Sequence, residues 1–157
     1  MNTLVFAVVG DPAPKGSKRA VGRDKTGRAI LVEMSKKLPA WSTAVTDAAR
    51  DARDASPGWE QPAAVGAVVV FRFHRPRSQY RTGRHSHELR PNAPHWHTSK
   101  PDNDKLQRAT FDPLTLLGVI RDDSRVAKIQ AEKIYVADDD WTGAEVTLYS
   151  LDTPVLL

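Results

Sequence analysis

Residues 64–73, Ala-Val-Gly-Ala-Val-Val-Val-Phe-Arg-Phe, constrain the fold of this chain more than any other stretch. The run is short, β-branched and aromatic, so it is a strand. A strand is stable only with sheet neighbours, and the remaining apolar segments must supply them. Thr3–Val9, rich in Leu, Val and Phe and closed by Gly10, reads as a buried strand. Ala29–Glu33 is a short strand, and residues 125–136 and 143–151 are two more, joined by the 137–142 turn into an expected hairpin.

Two helices complete the set. Pro39 opens the first, on which Trp41, Ala44, Val45, Ala48, Ala49 and Ala52 recur at helical spacing, and Ser56-Pro57-Gly58 stops it. The second runs from about residue 103 to 117, with Leu106, Ala109, Phe111, Leu114 and Leu117 roughly on one face and Gly118 at its end. Pro113 falls inside it and is expected to kink or split it. This order predicts an α+β fold: a mixed sheet with two main helices packed on one face. A chain of 157 residues is expected to form one domain spanning 1–157, with residues 152–157 as a tail. No repeat or low-complexity tract interrupts it.

Residues 74–100 are different. They hold Pro76, Pro91 and Pro94, all five histidines and no sustained period, so this long loop is expected to be functional or mobile. It carries six Lys or Arg and one acid, Glu88, while residues 10–37 carry eight Lys or Arg and three acids. The net charge of +4 is thus modest but segregated, which favours a polyanionic partner. Arg75, Arg77, Arg81, Arg84 and Arg90 can pair with phosphates, and Tyr80 and Trp96 can stack on unpaired bases. The Lys15-Gly16-Ser17-Lys18-Arg19 loop offers a second phosphate cradle. His85-Ser-His87 and His95-Trp-His97 have a spacing that can ligate zinc, but only Glu88 lies near to complete a set. Solvated or phosphate-contacting histidines are the expectation.

No apolar run approaches the roughly 20 residues that span a bilayer. The N-terminal stretch has neither a basic n-region nor a small-residue cleavage site. Cysteine is absent, which excludes disulfides and thiolate chemistry and suits a cytoplasmic protein.

Against this basic background, Lys100-Pro101-Asp102-Asn103-Asp104-Lys105-Leu106-Gln107-Arg108 and Arg121-Asp122-Asp123 concentrate carboxylates. Bare acids repel phosphate, so a divalent cation is the simplest way for both features to serve one polyanion. Asp102 and Asp104 point the same way if extended, and Asp123 can close a site from a second element. Arg108, one turn after Asp104, can stabilise phosphate charge; Asp112, one turn further, is placed to orient Arg108. Alternatively, Asp102 or Asp104 caps the helix and Asp122-Asp123 is an ordinary turn. An EF-hand calcium loop is excluded, since Leu106 occupies a ligand position and Gln107 the turn glycine.

The run from Lys100 to Leu114, followed by Arg121-Asp-Asp-Ser-Arg-Val126, resembles the RusA family of Holliday-junction resolvases, with its K-P-D-x-D-N-L-x-K-x-x-x-D-A-L and D-D-x-x-V pattern. The match is strongest over residues 100–126. The resemblance implies a homodimeric, magnesium-dependent endonuclease, with manganese as substitute metal, that resolves four-way DNA junctions by paired nicks in recombination and repair. It maps the essential aspartates onto Asp102, Asp104 and Asp123 as metal ligands. The catalytic lysine falls on Arg108, with Asp112 and Asp122 behind them. Lys15, Lys18, Arg19, Arg75, Arg77, Tyr80, Arg81, Arg84, Lys100 and Lys105 are then the expected DNA contacts. Three positions depart from the pattern: Arg108 replaces lysine, Lys105 asparagine and Pro113 alanine. Arg108 and Pro113 keep alive a second expectation, a non-catalytic branched-DNA-binding protein with a degenerate site. Phage or prophage origin in a bacterial cytoplasm is a further implication of the resemblance.

Overall fold

In the computed structural model, which describes residues 2–16, 18–33 and 35–152, the apolar segments find their places by burial on one face of a sheet. The elements are β1 (Thr3–Val9), β2 (Lys18–Arg23), β3 (Ala29–Glu33), α1 (Leu38–Asp54), β4 (Val65–His74), α2 (Asn103–Leu117), β5 (Val126–Val136) and β6 (Gly143–Ser150). The main sheet has the order β1-β6-β4-β5, with β4 and β5 parallel and the other pairs antiparallel. A separate β2–β3 ribbon follows the first loop. The fold is α+β with a mixed sheet, as the pattern of periods predicts.

Register explains the core. Leu4, Phe6 and Val8 oppose Leu148, Val146 and Ala144, which in turn oppose Ala67, Val69 and Phe71. All nine are buried, and Trp41, Val45 and Ala49 of α1 with Leu106, Ala109 and Leu114 of α2 cover them. The Trp41 indole N–H donates to Thr110 Oγ1 at 3.3 Å, joining the helices inside the core.

Four expectations need correction. β1 is not buried on both sides: it is an edge strand whose outward Val5 and Val9 are exposed, because the helices cover only one face. Residues 125–136 and 143–151 do not form a hairpin, because β4 lies between β5 and β6. Their connection crosses the end of β4 and is pinned there. The Arg72 guanidinium meets Asp140 at 2.7 Å and lies over the Trp141 ring, and the His74 ring bonds the Asp140 carbonyl oxygen at 2.8 Å. Pro113 does not split α2, which runs unbroken through it; the ring is buried in the core and its packing offsets the lost donor. Strand β2, within a stretch with no assigned element, pairs with β3.

The 74–100 loop is braced by its own cations. Arg81 bonds Glu88 at 2.7 Å, Arg77 the Ser86 carbonyl at 2.7 Å, Arg90 the Ser78 carbonyl at 3.0 Å, and Arg75 the Gln79 side chain at 3.0 Å. Backbone bridges Tyr80–Leu89 and Trp96–Ile134 add to this.

Candidate active site

The acidic residues follow from how α2 is held at its two ends. At its start, Asp102 is the extended residue before the helix, yet its side chain makes no capping bond. Position is set from β5 instead. Lys133 Nζ donates to the Ser99 and Pro101 carbonyls, each at 2.7 Å, and Asn103 donates to the Ala131 carbonyl at 3.0 Å. Burial pushes the Lys133 ammonium below its ordinary range, against the pull of Asp102. Asp102 and Asp104 are left exposed, with Lys105 Nζ 3.9 Å from Asp102. A cleft of about 530 Å³ opens beside Asp102, lined among others by Pro12, Lys37, His74, Lys100 and Lys105.

At its far end α2 closes on Gly118, whose φ of 80° is left-handed and open to glycine at little cost. Val119 and Ile120 then plunge into the core, and the Trp59 indole and Arg53 guanidinium satisfy the Val119 and Leu117 carbonyls. This turn returns the chain toward the helix. Asp122 accepts from the Ser124 amide at 2.8 Å and so is fixed as a turn cap, its carboxyl held below the ordinary range first by the Ser124 side chain and then by that amide.

Asp123 is thereby delivered to the last turns of α2. It accepts from Thr115 Oγ1 and has Asp112 as a neighbour. Burial raises the Asp123 pKa; the Thr115 bond opposes this, while the Asp112 and Asp122 carboxylates raise it further. On its other side Asp112 is paired with Lys15 Nζ, from the proline loop. Asp112 therefore does not orient Arg108 here, because an ammonium from 97 residues away takes its oxygen. Arg108 is exposed and lies against Gly16, and makes no hydrogen bond or ion pair among the described residues.

The acids thus form two points on one helix. Asp102 and Asp104 stand at its start, and Asp112 with Asp123 lie about 12 Å further along the axis, counting 1.5 Å for each of the eight residues from Asp104 to Asp112. Asp123 meets Asp112, not Asp102 or Asp104. Among the described residues no three His, Cys, Asp or Glu side chains form a group able to hold a metal. Magnesium takes as few as one or two protein carboxylates, and of the neighbouring pair Asp112 and Asp123 the first is already neutralised by Lys15.

The expected DNA contacts divide. Arg84 makes no hydrogen bond or ion pair among the described residues, whereas Arg75, Arg77 and Arg81 brace their loop. Tyr80 cannot stack on a base as expected, because it is buried and its hydroxyl donates to Asp138 at 2.7 Å. Trp96 remains half exposed. The side chains of Lys18 and Arg19, together with Ser17 and residues 153–157, lie outside the described residues. His97 is buried, stacked on Phe73 at 4.1 Å, and its imidazole is pushed down first by burial and then by Lys133.

The sequence model described as endodeoxyribonuclease RusA matches residues 10–149, which include the proline loop, both acidic points and the helix between them. The chain belongs to the RusA endodeoxyribonuclease family. No curated protein matches it. Within this RusA-family chain, sequence reasoning missed the roles of Thr115, Lys133 and Lys15 at the acids. Lys15 and Lys133 act from distant parts of the chain, and Thr115 reaches Asp123 across the turn that ends α2, so no helical or strand spacing signals them.

Proposed function

We propose that this RusA-family chain is a magnesium-dependent endonuclease selective for four-way DNA junctions, acting as a homodimer that makes paired nicks in recombination or repair. The observation that carries the reading is the family match, which takes in both acidic points and α2. Asp123 would hold the cation with Asp112, and Asp102 and Asp104 would form the acidic approach on the cleft side. When bound, such an ion would offset phosphate charge and ease loss of a proton from water, supplying the hydroxide nucleophile. Arg108, exposed between the two points, binds the scissile phosphate and stabilises its developing charge. Thr115 holds Asp123 in place. Arg84, Lys100 and Lys105 attract and orient the backbone of branched DNA. No helix among the described residues is long and apolar enough to cross a membrane, and the proposed setting is the cytoplasm of a bacterial cell, with a phage or prophage origin.

One observation favours a second reading. The described residues contain no three-ligand metal group, as expected of a branched-DNA-binding protein with a degenerate site. A magnesium titration on a synthetic four-way junction and a linear duplex decides between them. The enzyme reading predicts nicking of the junction, little of the duplex, and none with chelator. Junction binding without cleavage at any magnesium concentration would establish the second.

A further inference from the structure

The β2–β3 ribbon is the part of the fold that burial explains least. Every residue from Ala20 to Leu31 is exposed, with Val21, Ile30 and Leu31 at 51%, 42% and 60%. A ribbon of two strands is marginal by itself, and this one is stiffened at its tip. The Asp24 carboxylate accepts from the Thr26 amide at 2.8 Å, the Thr26 hydroxyl at 2.6 Å and the Arg28 amide at 3.0 Å. The Arg23 guanidinium donates to the Gly27 carbonyl at 2.8 Å. The acid is thus engaged within the turn, while the Lys25 and Arg28 side chains make no hydrogen bond or ion pair among the described residues. Residues 18–31 hold five Lys or Arg against one acid, Asp24, as large an excess as the +4 of the whole chain. Register sets Leu31 opposite Ala20 and Ala29 opposite Arg23, so an exposed leucine shares a face with small residues. The root of the ribbon is held at the acids: the Lys15 N–H donates to the Lys105 carbonyl at 3.1 Å, and Gly16 lies against Arg108.

We propose that the ribbon is a DNA-binding arm that seats in the major groove of a duplex arm beside the cut, with Lys25 and Arg28 on phosphates and Leu31 against base edges. It rests on the proposed function for its partner, branched DNA. The major groove, about 12 Å wide, admits a two-stranded ribbon and presents thymine methyls to an apolar side chain. It thereby offers both things this ribbon lacks, anions for its free cations and cover for its leucine. Six residues of strand rise about 20 Å, so the tip reaches up to about six base pairs from Arg108. At that distance the arm adds affinity and leaves the chemical step alone.

The test is binding of the full chain to a synthetic four-way junction with long duplex arms, read by fluorescence anisotropy over a salt series, with single-turnover nicking at saturating junction in parallel. Lys25→Gln/Arg28→Gln should weaken binding roughly tenfold and lower the salt slope by about 1.8, the share of two phosphates, while nicking of saturated junction keeps the wild-type rate. Leu31→Ser should weaken binding several-fold with the slope unchanged; wild-type affinity there overturns the groove seating. Arg50→Gln/Lys128→Gln, which removes the same charge from α1 and β5, should bind as wild type does. Should the double ribbon variant not fold, Lys25→Gln carries the comparison with half the change in slope. Wild-type affinity and slope in the ribbon variants, or an equal loss in the charge-matched control, overturn the arm and spare the nuclease reading. A ribbon-dependent slope in a chain that nicks at no magnesium concentration supports the arm and overturns the nuclease reading. No junction binding by wild type overturns both.

Discussion

His97 is the residue whose chemistry is most tightly fixed by its surroundings. Its ring is stacked on Phe73, lies 4.9 Å from Tyr135, and has a buried Nδ1 with no hydrogen-bond partner among the described residues. Burial favours the neutral ring and lowers its pKa below the ordinary 6.5. The unfolded chain therefore binds a proton between the folded value and 6.5 that the folded chain does not, so this residue makes stability rise with pH across that window and fall as pH drops through it. His97→Phe, which keeps a stacking ring, should remove that component. Urea midpoints at pH 5.5 and 7.5 should differ less in the variant than in wild type; an equal difference would exclude His97 as the source. Asp102, Asp104 and Arg108 are legible in the sequence as candidates because their spacing is local, and Asp123 because it belongs to a second acidic pair after the helix. The partnership of Asp112 with Lys15 and Asp123 is not, because it depends on a loop 97 residues away and on a turn beyond the helix.

Secondary structure was largely legible, since each element's period is written in its own residues. The α2 helix matches residues 103–117, and Trp41, Val45 and Ala49 do face the core. Neighbourhood was less legible. A hairpin is the natural reading of two consecutive strands, but β4, sixty residues earlier in the chain at its start, pairs with both and separates them. The same arrangement makes β5 the support of the acidic segment through Lys133 and Ala131. Lys133→Met would leave the exposed Ser99 and half-buried Pro101 carbonyls without this donor, at a cost of about 1 kcal/mol. The expected result is a lower melting temperature together with slower nicking of a four-way junction. An unchanged melting temperature would show that β5 does not hold the start of α2 through this contact.

At the scale of the whole molecule, the distribution of charge decides the account. A net charge of +4 would steer DNA only weakly if spread evenly. Here Lys15 of the proline loop pairs with Asp112, and Lys37, Lys100 and Lys105 line the cleft at Asp102, so a polyanion is drawn toward carboxylates that would repel it bare. Membership of the RusA endodeoxyribonuclease family gives this arrangement a nuclease context, and a cation on the acids would reconcile attraction with cleavage. Single-turnover nicking of a four-way junction by wild type and Asp123→Asn at saturating magnesium, with junction binding measured in parallel, tests that claim most directly. The account predicts a loss of roughly a hundredfold or more in cleavage with binding retained, whereas cleavage by Asp123→Asn at the wild-type rate would contradict it.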